Sequence, residues 1–377
     1  MSAWPGKSVI GLTGNIATGK SVVRKMLEHL GAYGIDADAL AHRAIAKGSP
    51  GYQPVLDTFG TWVLAPDEQI DRTKLAGVVF ANFEAIQLLE AIIHPLVGKA
   101  VEILIRRSKQ KIIVVEAIKL LESGMTDKCD SIWVTYAPQE LQLARLMQKR
   151  SMSEVTARQR IEVQPLQEKK VAVADVVIRN DGSFENTWEQ VTAAWKKHFP
   201  TVDVEALPVV GAAKGEISIR RARPREAEEI ADLINQLSNG RRIVTQEDIM
   251  AAFGEKAFLL LCKNEKALGV VGWKVENLVA STDDVYLDSN FSIVDAMGVL
   301  MKEVERASRE LQCEISLVFL PPELMDQEVD FSSLGYQRRT VTSLGVRAWE
   351  EAAQEAMPAR TIMLFKQLRQ DRVLRPV

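Results

Sequence analysis

The sequence predicts an α/β protein in two units: a parallel sheet with helices on both faces, then a second, smaller α/β domain. Three observations carry this. Short apolar runs alternate with helical patterns through the first 200 residues, a stretch rich in proline, glycine and small residues interrupts them, and strand and helix signals resume beyond it. With 377 residues, the chain exceeds the usual size of one compact core.

The first strand is read at 8–12 (SVIGL), followed by a loop at 14–21 and a helix bearing Val22, Val23, Met26, Leu27 and Leu30 at helical spacing. Further strands are expected at 111–116, 131–136 and 174–179, with helices over 85–107 and 138–150 between them. Continuous apolar strands of this kind suit a sheet buried on both faces. The stretch 199–216 reads as a linker, which places domains at 1–200 and 216–377 with 201–215 between them. In the second unit the expected elements are a strand from Ile217, a helix with Ile230, Leu233, Ile234 and Leu237 inward, a hairpin over 257–275, a helix over 293–311 and a strand over 313–319.

Hydrophobic content of 47%, 26% charged residues and a net charge of −3 describe an ordinary globular chain and give no reason to expect nucleic acid as a partner. Three scattered cysteines and four histidines offer neither a disulfide framework nor a metal site. Together with the lack of a long apolar run, this leads us to expect a cytoplasmic protein with no membrane partner.

Gly14, Gly19, Lys20 and Ser21 satisfy G-x-x-x-x-G-K-[ST] between a strand and a helix, the context of a P-loop that cradles phosphates. The glycines let backbone N–H groups reach phosphate oxygens at the helix N-terminus. Lys20 is expected to bridge β- and γ-phosphates of ATP, and the Ser21 hydroxyl to ligate Mg²⁺. Asp36 and Asp38 stand where a second strand should pass into a helix. Either could orient an attacking hydroxyl, and either could simply cap the helix. Basic residues concentrate over 145–170 (Arg145, Lys149, Arg150, Arg158, Arg160, Lys169, Lys170), as in a lid that neutralises phosphoryl charge.

These motifs occur in an order that resembles dephospho-coenzyme A kinase: GLTGNIATGKS (11–21), IDAD (35–38), IDRTKL (70–75), IIHP (92–95), LLESG (120–124) and RIEVQ with ADVVIRNDGS (160–183). The resemblance covers nearly all of the first unit. It implies a P-loop NTPase-type fold and transfer of the ATP γ-phosphoryl group to the ribose 3′-hydroxyl of dephospho-CoA, the last step of coenzyme A synthesis. Catalytic roles fall to Asp38 as base, to Lys20 and to Arg150 in the lid. The nucleotide set is Gly14, Asn15, Ile16, Ala17, Thr18, Gly19, Lys20, Ser21 and Val22, with Asn180 and Gly182 near the adenine. The acceptor set is Asp36, Asp38, Arg43, His94, Glu116, Lys119 and Arg160. Other readings of the same residues are a kinase for another nucleoside acceptor and a regulatory nucleotide-binding protein with a degenerate kinase site.

The chain departs from that family where Asn15 and Ala17 replace glycines, an alanine being tolerable if its φ is negative. His42 holds the position of a usual arginine, with Arg43 one place later, and Glu116 replaces an aspartate. The second unit is similar to GNAT-type N-acetyltransferases in ISIRRARPREAEEIADLI (217–234), ALGVVGW (267–273) and FSSLGYQRR (331–339). The stretch 288–305 lacks the glycine pair that such proteins offer a pyrophosphate, and Asp295 puts negative charge there. A GNAT-like domain without acyl transfer is therefore expected, one that could still meet a CoA-like ligand or a protein partner.

Overall fold

The computed structural model describes residues 3–79, 82–150, 152–201, 217–238, 240–264, 266–288, 293–325, 331–371 and 373–374. The expected linker at 201–215 lies, but for residue 201, outside them.

In the first unit the elements run β1 (Ser8–Thr13), α1 (Lys20–His29), β2 (Tyr33–Asp36), α2 (Ala37–Ala44), α3 (Tyr52–Phe59), α4 (Arg72–Val79), α5 (Phe83–Arg107), β3 (Ile112–Glu116), β4 (Ser131–Tyr136), α6 (Gln139–Arg150), α7 (Glu154–Glu162), α8 (Gln167–Val171), β5 (Val176–Arg179) and α9 (Phe184–His198). The strands form one parallel sheet in the order β2-β3-β1-β4-β5, with Leu12 opposite Glu116 and Asp36 opposite Glu116 across the β3 neighbours. All five residues of β3 are buried, which is why it reads as an unbroken apolar run closed by a carboxylate. Helices cover both faces: α1 and α9 pack on Ile10, Leu12, Trp133 and Ile178, while α2 and α5 pack on Val9, Ile35 and Val115. In a doubly wound sheet the strand carboxyl ends line the ligand crevice. Here those ends deliver Thr13, Asp36, Glu116 and Tyr136 to one edge.

The second unit comprises β6 (Ile217–Arg221), α10 (Ala227–Leu237), α11 (Gln246–Ala252), β7 (Ala257–Lys263), β8 (Lys266–Glu276), β9 (Val279–Leu287), α12 (Ile293–Glu310), β10 (Ile315–Leu320), α13 (Pro322–Met325), β11 (Gln337–Arg338), α14 (Arg347–Ala356) and β12 (Ile362–Gln367). Its seven-stranded sheet has the order β11-β12-β10-β9-β8-β7-β6, and among the described residues β9 with β10 is the parallel pair. The expected hairpin and helix are present. Strand β9 was not foreseen, because Ser281, Thr282, Asp283 and Asp284 hide its period and a register shift opposite Val270–Gly272 breaks the alternation. Among the described residues no helix is long and apolar enough to cross a membrane.

The two units share a packed seam. The β8–β9 turn places Leu278, 8% exposed, in the first unit's core beside Tyr33, Leu40 and Leu104. His29 at the end of α1 approaches the Phe253 carbonyl at 2.7 Å through Nε2, while Arg221 approaches Nδ1 at 3.1 Å. A carbonyl only accepts and a guanidinium only donates, so the ring is neutral with its proton on Nε2.

Candidate active site

The loop between β1 and α1 closes through glycines that no other residue could replace. Gly14 has φ +153°, and a Cβ there would stand 2.3 Å from the Thr135 hydroxyl. Gly19 has φ +93°, and a Cβ there would stand 1.8 Å from the Asn180 amide. That amide donates to the Thr18 carbonyl at 3.0 Å, and Thr18 and Thr135 share a hydroxyl contact at 2.7 Å. Asn15 donates to the Pro165 carbonyl and Ile16 N–H to the Gln164 side chain, both at 2.8 Å, so the segment after α7 covers the loop. Arg145 of α6 ties this arrangement together by donating to the carbonyls of Ala17 at 3.1 Å and Asn180 at 2.8 Å.

Ala17 has φ +59°, so the condition under which alanine is easily tolerated there, a negative φ, is not met. The loop keeps the left-handed turn that glycine would make freely, and alanine holds it at a cost of about 1 kcal/mol. Helix α1 begins at Lys20 with no side-chain cap and no acidic residue in its first turn, which leaves its positive end suited to an anion. The Lys20 ammonium folds back over the loop to the Asn15 carbonyl at 3.1 Å.

Ser21 donates to Glu116 Oε1 at 3.0 Å, and Arg24 Nε donates to Glu116 Oε2 at 2.6 Å. Arg24 also meets Glu28 at 2.8 Å and Asp36 at 3.9 Å. Burial disfavours its charge, but Glu28, Glu116 and Asp36 outweigh this and hold its pKa well above the ordinary value. Arg24 was not singled out from the sequence. The available signal was its position one turn beyond Ser21, yet a charged residue on α1 reads as solvent-facing until β2 and the second unit are seen to cover that side.

The two aspartates separate. Asp36 is the N-cap of α2, accepting from Ala39 N–H at 2.8 Å. Asp38 accepts from Ile118 N–H at 3.1 Å and lines a cavity of about 620 Å³. Burial, with Asp36 nearby, pushes its pKa up to about 6 against the opposing pull of Lys20 and the Ile118 N–H. Lys170, 2% exposed, donates to the Ile118 carbonyl at 2.6 Å and so braces the residue whose N–H holds Asp38. The cavity wall also carries His94 and Lys119, with Lys119 paired to Glu90, and apolar positions Val79, Ile86 and Ile93.

Other expected residues are not brought to this cavity. Arg43 turns away into the seam between the units, where it is paired with Glu314 at 2.6 Å. Glu116 faces the phosphate loop instead, through Ser21. Arg160 is exposed on α7, and Val22 approaches Gly254 of the second unit. Asn180 anchors the loop, while Gly182 lies in the turn before α9. The Arg150 and Lys149 side chains lie outside the described residues.

A family model described as dephospho-CoA kinase matches residues 8–186. The dephospho-CoA kinase of Geobacter metallireducens is 43% identical over 192 residues, which cover 96% of that protein and 50% of this chain. The chain belongs to the dephospho-CoA kinase family. A solved dephospho-CoA kinase from Campylobacter jejuni aligns over 51% of this chain and 97% of its own at 28% identity, with a TM-score of 0.38. A GNAT-family acetyltransferase from Staphylococcus aureus aligns over 41% of this chain and all of its own at 14% identity, with a TM-score of 0.33. Family membership thus attaches to the unit that holds the loop, Asp38 and the cavity.

Among the described residues there is no cluster of three or more His, Cys, Asp or Glu side chains able to cage a metal. The Ser21 hydroxyl and Glu116 carboxylate, 3.0 Å apart beside the loop, nevertheless suit Mg²⁺, which takes one or two protein oxygens and keeps several waters.

Proposed function

We propose that the first unit transfers the γ-phosphoryl group of ATP to the ribose 3′-hydroxyl of dephospho-CoA, giving coenzyme A. The observation that carries this is the placement of Asp38 between the phosphate loop and the 620 Å³ cavity, with a pKa of about 6. At neutral pH it is a carboxylate able to accept the hydroxyl proton, and its basicity is higher than that of an exposed aspartate. Loop N–H groups and the α1 N-terminus hold the triphosphate, and Lys20 swings from the Asn15 carbonyl to the β- and γ-phosphates. Ser21 would hold Mg²⁺ and Glu116 would fix its waters; the ion, when bound, offsets charge on the phosphoryl oxygens. The apolar wall at Val79, Ile86 and Ile93 suits the pantetheine arm, and His94 and Lys119 suit its phosphates. Arg145 keeps the loop in shape, while Arg150 and Arg160 belong to the lid.

The second unit carries no acyl transfer in this proposal and retains a GNAT-like sheet for the sake of its seam with the kinase. Supporting this, Asp295 is exposed in the first turn of α12, where a pyrophosphate would meet negative charge.

ADP release by the full chain with ATP, Mg²⁺ and dephospho-CoA tests the kinase assignment. Turnover should require the acceptor. In Asp38→Asn, kcat should fall by about 10² to 10⁴ with ATP still binding. ATP hydrolysis indifferent to dephospho-CoA, or an Asp38→Asn variant as fast as the parent, would leave the regulatory reading or another acceptor in its place.

A further inference from the structure

Helix α2 carries the acceptor-side aspartate at its start and abuts the second unit at its end. Asp38 is in its first turn, and Arg43 is in its last. The Arg43 guanidinium, in a residue 5% exposed, donates from NH1 to the Asn277 carbonyl at 2.7 Å and from NH2 to Glu314 at 2.6 Å. Glu314 is fully buried and also accepts from the Trp349 indole at 2.9 Å. Its backbone is equally committed: its N–H donates to the Leu278 carbonyl at 2.7 Å, and its carbonyl accepts from Leu368 N–H at 2.8 Å. One residue of the second unit therefore joins the β8–β9 turn, the start of β10, the end of β12 and α14 to the far end of the helix that presents Asp38. His42, the preceding residue, lies beside Arg72 and Glu351 of α14.

The turn that meets Arg43 is itself held out of its easiest conformation. Asn277 and Leu278 both have left-handed φ, +51° and +62°. Two-residue hairpin turns of this kind favour glycine at the second position. Leucine is retained where its side chain fills the kinase core between α2 and β2, beside Tyr33 and Leu40. A strained residue persists only where its surroundings over-determine it. The hairpin tip thus wedges against α2 at the same place where Glu314 grips it by charge.

We infer that Glu314 is a positioning residue for phosphoryl transfer, acting through Arg43 to set the helix that presents Asp38, and that the second unit is a fixed part of the acceptor side of the kinase. This rests on the kinase reading above. A buried arginine held at two points, one a carbonyl and the other a carboxylate, has a definite direction, which an apolar contact lacks, so these contacts fix the rotation of α2 as well as its depth. ATP is held by the loop and by α1, away from this grip. The predicted signature is accordingly one-sided: the acceptor constants depend on Glu314 and the ATP constants do not.

The test is steady-state kinetics of the full chain and its Glu314→Gln variant, with hydrogen exchange on the same samples. Glu314→Gln keeps the shape and removes the charge. The expected result is a KM for dephospho-CoA raised about tenfold, with the ATP KM within about twofold of the parent. Amides of residues 39–44 should exchange faster while those of α1 do not. Trp349→Phe, which removes the indole N–H from the carboxylate along with part of the buried ring, should move the same acceptor constant in the same direction while leaving the ATP constant unchanged, and it serves where Glu314→Gln yields no folded protein. Unchanged acceptor KM and unchanged exchange in α2, or an equal fall in both substrates' constants tracking the folded fraction, would overturn the inference. A parent protein without dephospho-CoA-dependent turnover would sink the kinase reading instead, and α2 exchange would still decide whether Glu314 sets that helix.

Discussion

The phosphate loop and the seam between the units use the same kinds of side chain for opposite purposes. At the loop, the Lys20 ammonium reaches the Asn15 carbonyl at 3.1 Å, at the uncapped end of a helix. At the seam, Arg43 meets a carboxylate and a carbonyl, both from the other unit. Each cation is nearly buried, at 7% and 5% exposure. Exposure alone does not distinguish the two cations; what differs is where each is held, Lys20 at a helix N-terminus suited to an anion and Arg43 against a carboxylate of the other unit.

Exchanging the two lysine and arginine roles for alanine is the strongest way to break this contrast. Arg43→Ala should lower unfolding stability by about 3–5 kcal/mol, because Glu314 is left buried without its cation. Lys20→Ala should leave stability within about 1 kcal/mol while lowering kcat by about 10² to 10³. Urea titration beside single-turnover kinetics reads both. Equal stability losses would erase the distinction between the two regions.

The pH dependence sharpens it, since Asp38 on one side and His29 on the other are shifted in opposite directions. Asp38 must be ionised to accept a proton, and its pKa is raised to about 6, so kcat/KM should fall about tenfold per pH unit below 6 and be flat above it. His29 is neutral in the seam, and burial and the nearby Arg221 depress its pKa from 6.5 to about 3. A base with a depressed folded pKa contributes stability above pH 6.5 and loses it progressively as pH falls from 6.5 toward 3. His29→Gln should flatten that limb of the stability profile and leave the activity limb at 6. Movement of both limbs together would mean the regions are one titrating unit.

The smallest expected effect lies within the loop. Ala17→Gly relieves the left-handed φ of +59° but frees the unfolded chain, so the net gain is about 0.5 kcal/mol, with ATP binding retained. A loss of stability in thermal denaturation would show that the Ala17 methyl packs favourably enough to outweigh its strain.

Much of the first unit was legible because its physics is local. Apolar runs buried on both sheet faces announce β1, β3 and β4, and the glycine spacing announces the loop. Asp36 and Asp38 were both visible but not separable: the cap and the cavity-facing carboxylate differ by two positions on one turn, and only the path of α2 decides which faces the cavity. Arg43 was assigned to the acceptor because it follows that motif, and the structure withdraws it because Glu314, 271 positions away, lies opposite its guanidinium. Arg24 was overlooked for the same reason in reverse, since besides Glu28 on its own helix it meets carboxylates arriving from β2 and β3.

Sequence by itself determined the α/β class of the first unit, the phosphate loop and the aspartate pair, since each is written in spacing along a few turns of chain. Tertiary structure decided which charged residues face a ligand and which face the protein. Charge pairing depends on distance in space: Asp36 and Glu116 reach Arg24 from remote strands, and the partners of Arg43 and His29 come from the second unit, whose contacts no local pattern encodes.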